Sequence, residues 1–181
     1  IVQYLMSLPK EYDIDPTAED NEALRRAADE GHLEVVQYLI SLPKEYGIDP
    51  AAEDNEALRW AADEGHLEVV QYLISLPKEY GIDPAAEDNY ALRWAADSGH
   101  LKVVQYLISL PKEYGIDPAA DDNSALRVAA YQGHLEVVQY LISLPKEYDI
   151  DPAAKDNEAL HWAASSGRLE VVQYLMSLAG E

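Results

Sequence analysis

Hydrophobic and polar positions follow the spacing of short amphipathic helices, and the pattern returns every 34 residues, as Gly31, Gly65 and Gly99 mark. Residues 88–121 hold one full copy, in which a first helix with a buried stripe is followed by a second helix over residues 101–110. The first stripe consists of Leu92, Ala95 and Ala96, and the second of Leu101, Val104, Leu107 and Ile108, flanked by Val103 and Leu110. No segment alternates strictly between apolar and polar residues, so the pattern predicts little or no sheet.

Polar residues mark where the helices are expected to begin. Asp88 and Asn89 each carry an oxygen that can accept a hydrogen bond from a free backbone N–H, so they are expected to cap the first helix. Asp117 and Pro118 have the order of a cap followed by a proline at the first helical position. Asp-Asn and Asp-Pro recur in register along the chain, so every copy is expected to start in the same way.

Glycine and proline mark where the helices are expected to end. Gly99 is expected to end the first helix in the left-handed conformation that a residue without Cβ adopts readily. Pro111 cannot continue the second helix without loss of a hydrogen bond, so a short turn is expected over residues 111–114. Gly115 then allows a sharp reversal towards the next copy.

A period of this length indicates a stacked array of helical units, because each unit is too small to bury its apolar face alone. We therefore predict an all-α, helix-turn-helix solenoid that spans residues 1–181 as one array. Its expected parts are a partial repeat at 1–19, full repeats at 20–53, 54–87, 88–121 and 122–155, and a partial C-terminal repeat at 156–181.

The segment that begins at Ala91 reads A-L-R-W-A-A-D-S-G-H-L-K-V-V and resembles the ankyrin repeat, which typically reads T-P-L-H-x-A-A-x-x-G-H-L-E-V-V across two helices. The match is specific at Leu92, Ala95, Ala96, Gly99, His100, Leu101 and the two valines, and it recurs through the chain. The resemblance implies a helical solenoid that binds other proteins, with the first helices lining the binding groove.

The chain departs from the family pattern in two places. The opening Thr-Pro is replaced, for example by Glu56-Ala57, and the following His is Arg in four copies and His161 in the last. A longer tail after the second helix, Leu-Pro-Lys-Glu-Tyr, replaces part of the usual β-hairpin loop. We therefore expect ankyrin-like repeats whose projecting fingers are shortened or helical, with little or no β-hairpin.

The copies differ mainly at four positions of the first helix, at offsets 0, 4, 7 and 8, which share one helix face away from the buried stripe. These positions hold Glu22, Arg26, Asp29 and Glu30; Glu56, Trp60, Asp63 and Glu64; Tyr90, Trp94, Asp97 and Ser98; Ser124, Val128, Tyr131 and Gln132; and Glu158, Trp162, Ser165 and Ser166. Such variation indicates a recognition surface, and neutral drift on a solvated face is the alternative. The predicted partner-binding residues are Glu56, Trp60, Asp63, Glu64, Tyr90, Trp94, Asp97, Ser98, Val128, Tyr131 and Trp162.

Aromatic and acidic side chains on this face suggest the chemistry of the partner. Tryptophan is costly to leave in water and is frequent at binding hot spots, while packing between repeats is the alternative role for Trp60, Trp94 and Trp162. Asp63 and Glu64 lie at a helix C-terminus, where the helix dipole disfavours negative charge, so helix stability does not explain them. An aromatic surface beside carboxylates suits an Arg- or Lys-bearing peptide.

The net charge of the chain indicates which class of partner is expected. The formal charge of −21 repels phosphate backbones, so no nucleic-acid partner is expected and basic proteins or peptides are favoured. Solubility of a repetitive protein is the alternative reason for the acidity. No apolar run is long enough to span a bilayer, so no membrane partner is expected.

The sequence gives little indication of a catalytic site or a metal site. Histidines recur once per repeat, for example His66 and His100, about 10 Å apart and too far to share one metal ion, so they are expected to tie the turn by hydrogen bonds. The chain has no Cys, and no nucleophile, phosphate loop or metal motif stands apart from the repeats. We expect no metal, no cofactor and no enzymatic activity.

The leading interpretation is a non-catalytic scaffold that binds a basic protein or peptide surface along the first-helix face. The alternative is a structural or self-assembling array, natural or engineered by consensus, without a dedicated external partner. Ile1–Leu8 has the sequence of a second helix without its first helix, and neither end carries a strongly polar cap. The chain is therefore expected to be an excerpt of a longer array or to stack end to end.

Overall fold

The computed structural model describes Gln3, Met6 and residues 14–178. Within these residues the chain forms ten α-helices and no strand, which confirms the predicted all-α class and helix-turn-helix order. The first helices of the repeats are α1 (Ala18–Asp29), α3 (Ala52–Asp63), α5 (Ala86–Asp97), α7 (Ala120–Gln132) and α9 (Ala154–Ser165). The second helices are α2 (Leu33–Ile40), α4 (Leu67–Ile74), α6 (Leu101–Ile108), α8 (Leu135–Ile142) and α10 (Leu169–Leu178).

The chain divides into two compact units, which are described separately. Unit 1 comprises the residues up to Ala61 together with His66–Asp83, and unit 2 comprises Ala62–Gly65 together with the residues from Pro84 onwards. In unit 1, α1 packs against α2, and α2 packs against α4. In unit 2, the first helices α5, α7 and α9 pack side by side, each first helix packs against its own second helix, and α8 packs against both α6 and α10.

The predicted buried stripes form the core of each repeat. Leu92, Ala95 and Ala96 are buried on α5, and Val104 and Leu107 are buried on α6. Alanine has a small side chain, so the paired alanines allow neighbouring first helices to approach closely. The second helix ends at Ile108, two residues before the predicted limit of 110.

The connectors confirm the expected short turn in place of a hairpin. The second helix stops before Pro111, and a single 3₁₀ turn follows over Lys112–Tyr114, where the Tyr114 N–H donates to the Pro111 carbonyl at 2.9 Å. Gly115 then has a φ of 71°, the left-handed conformation that the reversal requires. The same turn lies at Lys44–Tyr46, Lys78–Tyr80 and Lys146–Tyr148.

Tyrosines of the second helices are influenced electrostatically by tyrosines of this connector region. Burial raises the pKa of Tyr106, and the nearby Tyr114 of the connector raises it further. Tyr72 and Tyr140 show the same direction of pKa change for the same two causes, with burial the larger. All three side chains are half-buried at the same position of their second helices.

The prediction that Asp88 and Asn89 cap the first helix is wrong. Glu87, Asp88 and Asn89 have φ values of 53°, 54° and 65° and form a left-handed turn ahead of the right-handed part of α5, and Ala85, before this turn, makes no side-chain capping bond. The amide of Asn89 is buried, and its Oδ1 accepts a hydrogen bond from the backbone N–H of Asp117 at 2.9 Å. The Asn side chain therefore fixes the connector that leads to the following first helix.

This arrangement recurs in every described repeat that has a repeat after it. The bonds join Asn21 Oδ1 to the Asp49 N–H, Asn55 Oδ1 to the Asp83 N–H, Asn89 Oδ1 to the Asp117 N–H and Asn123 Oδ1 to the Asp151 N–H, all at 2.9–3.0 Å. The period of the sequence thus reflects one repeated long-range hydrogen bond as well as the repeated apolar stripe.

Asp117 and Pro118 also differ from the prediction. The Asp117 carboxylate accepts a hydrogen bond from the Ala119 N–H at 2.9 Å, so it does cap a turn. Pro118, however, is a buried residue of that turn, two residues before α7 begins, and is not the first residue of the helix. The helix predicted at Ile1–Leu8 lies outside the described residues except for Gln3 and Met6, which are helical.

Candidate protein-binding face

The recurring histidines are structural. A Cβ on Gly99, which has a φ of 79°, would collide with the ring of His134, so the ring packs directly on the glycine that ends the preceding first helix. His134 Nε2 also lies 2.8 Å from the carbonyl oxygen of Asp97, to which it donates. The last repeat has Arg168 at this position, and Arg168 Nε donates to the Tyr131 carbonyl at 3.0 Å. Both side chains tie the end of the preceding first helix, as predicted for the histidines.

Arginines of the first helix link neighbouring repeats, which the sequence analysis did not recognise. Arg25 forms an ion pair with Glu56 of the next first helix and also donates to the Glu19 carbonyl at 2.7 Å. Arg127 is 7% exposed, pairs with Glu158 of the next first helix, and donates to the Asp121 carbonyl at 2.9 Å. The spacing of 31 residues between Arg and Glu was available in the sequence as a signal.

Tryptophans of the predicted ladder lie against the same arginines. In unit 1, the guanidinium carbon of Arg25 lies 5.7 Å from the ring centroid of Trp60, and that of Arg26 lies 6.0 Å away. In unit 2, Arg127 lies 5.3 Å from the ring centroid of Trp162. Both rings are half-buried. These Trp side chains therefore combine packing between repeats with partial access to solvent.

Two aromatic pairs lie on the first-helix face of unit 2. Tyr90 and Trp94 are stacked with ring centroids 5.7 Å apart, and Arg93 lies 3.8 Å from the centroid of Tyr90. Tyr131 and Trp162 meet edge to face with ring centroids 6.1 Å apart. Tyr131 is 46% exposed, which is high for a large apolar side chain.

Carboxylates accompany these rings near the C-terminal ends of the first helices. Asp63 accepts a hydrogen bond from the Ser98 hydroxyl at 2.7 Å, and Asp97 accepts one from the Gln132 amide at 3.2 Å. Glu64 is exposed. Among the described residues, the ion pairs of the structure involve none of these three carboxylates. Their negative charge therefore has no cationic partner within the described part of the chain.

The structure separates the predicted residues into two groups. Glu56 and Trp60 belong to unit 1, where both contact Arg25. Unit 2 contains the others, on the adjacent helices α5, α7 and α9 and at the C-terminal end of α3, and Val128 is half-buried on α7. The first-helix face of unit 2 is defined here as Asp63, Glu64, Tyr90, Trp94, Asp97, Ser98, Val128, Tyr131 and Trp162.

Three features of the structure agree with the repeat motif of the sequence. They are the paired helices, the left-handed glycine at the end of every first helix, and the connector that is bonded to each repeat. A family model described as ankyrin repeats (3 copies) matches residues 1–88, 46–122 and 92–181, which together cover the chain. The chain belongs to the ankyrin repeat family. A comparison with curated proteins gave no match.

Ankyrin repeats generally mediate protein–protein interactions, and ankyrin repeat proteins are typically non-catalytic scaffolds. In the part of the chain that the structure describes, no group of three or more His, Asp or Glu side chains could hold a metal ion. None of the described helices combines the length and the apolar character that crossing a membrane requires.

Proposed function

We propose that this ankyrin repeat protein is a non-catalytic scaffold that binds a basic protein or peptide surface along the first-helix face of unit 2. Exposure of Tyr131 carries the proposal. The same position holds Asp in three copies and Ser in the last, so packing of the repeat does not require a large apolar side chain there. An exposed aromatic ring next to a second aromatic ring is typical of a binding hot spot.

Charge on the same face supports a basic partner. Asp97 precedes Tyr131 by one repeat, Asp63 precedes Asp97 by one repeat, and Glu64 follows Asp63. An arginine or lysine side chain that lies on the Tyr131 ring can also reach a carboxylate of this face, because cation–π contacts and charge-assisted hydrogen bonds act together at short range. The net charge of −21 would attract such a partner from a distance.

The Trp residues are expected to contribute less to partner binding than the sequence alone indicates, because they also contact neighbouring residues of the protein. Glu56 pairs with Arg25, and Trp60 and Trp162 already lie beside an arginine of the preceding repeat. Their replacement would change the interface between repeats as well as the surface. Tyr131 and Asp97 are therefore the residues on which a binding test should rest.

Fluorescence anisotropy with two labelled peptides of equal length tests the proposal, one rich in Arg and Lys and one rich in Asp and Glu. The protein is expected to bind the basic peptide, more weakly as salt increases. Tyr131→Ser and Asp97→Ser, which place at these positions the residue found at Ser165, are each expected to weaken binding by roughly threefold to tenfold.

Glu136→Ser is the matched control. Glu136 is an exposed carboxylate on α8, so this variant removes the same charge as Asp97→Ser from outside the face. If general attraction to an acidic protein explained binding, Asp97→Ser and Glu136→Ser would lower affinity equally. That result, or equal binding of the acidic and the basic peptide, would reject the proposed face.

A further inference from the structure

One arginine of the first helices differs from the others in its contacts. Arg25, Arg59 and Arg127 each donate a hydrogen bond to the backbone carbonyl six residues earlier. Arg93 holds the same position on α5, but it donates no hydrogen bond to any residue that the structure describes. The N–H groups of the Arg93 guanidinium therefore remain available within the described part of the chain.

A second difference lies in the repeat that follows Arg93. Arg127 pairs with Glu158, which lies 31 residues later on the next first helix. The residue at the same separation from Arg93 is Ser124 of α7, which carries no charge and has a shorter side chain than glutamate. Because α5 packs against α7, the interface between these helices holds the cation of the inter-repeat pair without its carboxylate.

The remaining contacts of Arg93 hold its guanidinium but leave the N–H groups accessible. The guanidinium carbon lies 3.8 Å from the ring centroid of Tyr90, and such a contact uses the face of the guanidinium rather than its N–H edge. The Asp121 carboxylate is 3.7 Å away, too far for a hydrogen bond, and lies at the same distance from Arg127. The Arg93 side chain is 22% exposed, whereas that of Arg127 is 7% exposed. A ligand can therefore reach donors at Arg93 that are enclosed at Arg127.

We infer that Arg93 binds a carboxylate and that the partner of this scaffold carries an acidic side chain among its basic ones. The inference rests on the proposed function, because Tyr90 and Trp94, which lie near Arg93 on α5, belong to the first-helix face of unit 2. The corresponding arginine of two other repeats is paired with a Glu carboxylate, so the repeat can place this group beside the guanidinium. A guanidinium and a carboxylate can form two parallel hydrogen bonds.

A carboxylate site at Arg93 would make the first-helix face selective among basic partners. Asp97 and Tyr131 favour any peptide that carries Arg or Lys, and the net charge of −21 disfavours acidic residues in general. An acidic side chain that reaches Arg93 would instead gain charge-assisted hydrogen bonds. The position of one acidic residue among the basic ones would therefore distinguish the partner. A phosphate carries more negative charge and would meet stronger repulsion, so the carboxylate is the group that fits.

Ser124→Glu tests the site without any partner, because it introduces the residue found at Glu56 and Glu158. If the Arg93 guanidinium can receive a carboxylate, the new side chain should pair with it and raise the melting temperature by about 2–4 °C. Gln139→Glu adds the same charge at an exposed position of α8 and is the control, for which no rise is expected. A melting temperature of Ser124→Glu at or below that of the control would overturn the inference.

Fluorescence anisotropy with labelled basic peptides tests the partner. One series carries a single Glu at each position in turn, a matched series carries Gln instead, and amidated C-termini leave the Glu side chain as the only carboxylate. At most positions Glu is expected to bind the acidic protein more weakly than Gln. At the position that reaches Arg93, Glu is expected to bind about threefold to tenfold more tightly than Gln. Ser124→Glu should remove this preference, and Gln139→Glu should retain it.

The outcomes separate this inference from the proposed function. If basic peptides bind but no position favours Glu over Gln, the carboxylate site is wrong and the basic-binding face stands. The same conclusion holds if Ser124→Glu keeps the preference for Glu. If no basic peptide binds, the proposed function fails and the acidic residue of the partner fails with it, whereas the melting temperature of Ser124→Glu still decides whether Arg93 receives a carboxylate.

Discussion

Replacement of Asn89 by Ala isolates the hydrogen bond that recurs between each first helix and the connector after its second helix. Asn89 is buried, and its Oδ1 accepts from the Asp117 N–H at 2.9 Å. Alanine leaves that N–H without its partner, which costs about 1–2 kcal/mol for a partly buried donor. Asn89 also has a φ of 65°, where Asn is tolerated better than Ala by about 1 kcal/mol. The free energy of unfolding should therefore fall by about 2–3 kcal/mol.

Asn157 provides the matched control within the same chain. It has a φ of 66° at the same position of the last repeat, but it is exposed, and no described residue donates a hydrogen bond to its Oδ1. Asn157→Ala should therefore lose only the conformational part, about 1 kcal/mol. The difference between the two variants, about 1–2 kcal/mol, measures the hydrogen bond.

Urea denaturation followed by circular dichroism measures both variants. The denaturant dependence should stay unchanged, because neither variant alters the surface exposed on unfolding. Equal loss of stability in Asn89→Ala and Asn157→Ala would refute the reasoning, because it would show that the bond to Asp117 does not stabilise the fold.

Two further perturbations give graded outcomes. Gly99→Ala should destabilise the protein by about 1–3 kcal/mol more than Gly167→Ala in thermal melts, since both have positive φ but only the Cβ on Gly99 meets the His134 ring; equal melting temperatures would contradict this packing. Burial raises the pKa of Tyr106 in the folded state, so its contribution to stability is intact below the ordinary Tyr pKa of about 10 and is lost as pH rises above it. Tyr106→Phe should therefore make the alkaline loss of stability shallower in melts across that range, and an unchanged pH profile would speak against the assigned burial.

Features set by local sequence were predictable. Gly99 and Pro111 impose their conformations through their own covalent structure, so their roles as a helix end and a helix break needed no knowledge of neighbouring repeats. The stripe around Leu92 followed from helix periodicity, and stacking of units followed from the repeat length. The absence of a strand among the described residues agrees with the rebuilt connector.

Features set by contacts between repeats were harder to predict. Asn89 has the chemistry of an N-cap, and only the position of Asp117 in space shows that its oxygen bonds the connector. Glu87 is the first of three successive residues in the left-handed conformation. A residue with a Cβ disfavours this conformation, so the local sequence does not predict it. The bond to the connector and the burial of Asn89 offset that cost, and neither is visible from one repeat alone.

The candidate site shows the same division. The variable face was identified by comparison of the copies, although its residues Glu56, Trp60 and Trp162 also contact the preceding repeat. The role of Arg25 and Arg127 was missed, since four identical copies of an arginine looked like a departure from a family pattern rather than half of an ion pair. A search for opposite charges one repeat apart would have found both Glu partners.

The ties between repeats have one consequence for how such a chain can change in length. Three kinds of contact join neighbouring repeats: an Asn–Asp hydrogen bond, an Arg–Glu ion pair and Gly–His packing. Each contact spans about one repeat in the sequence, and each kind recurs in several repeats. Loss of residues 88–121 in a single recombination event would bring Gly65 into register with His134, a pair of the same kind as the one it replaces. The gene could therefore lose or gain a unit without a new interface having to evolve. Each such event would at the same time remove or insert one set of variable first-helix residues, and with it a part of the proposed binding face.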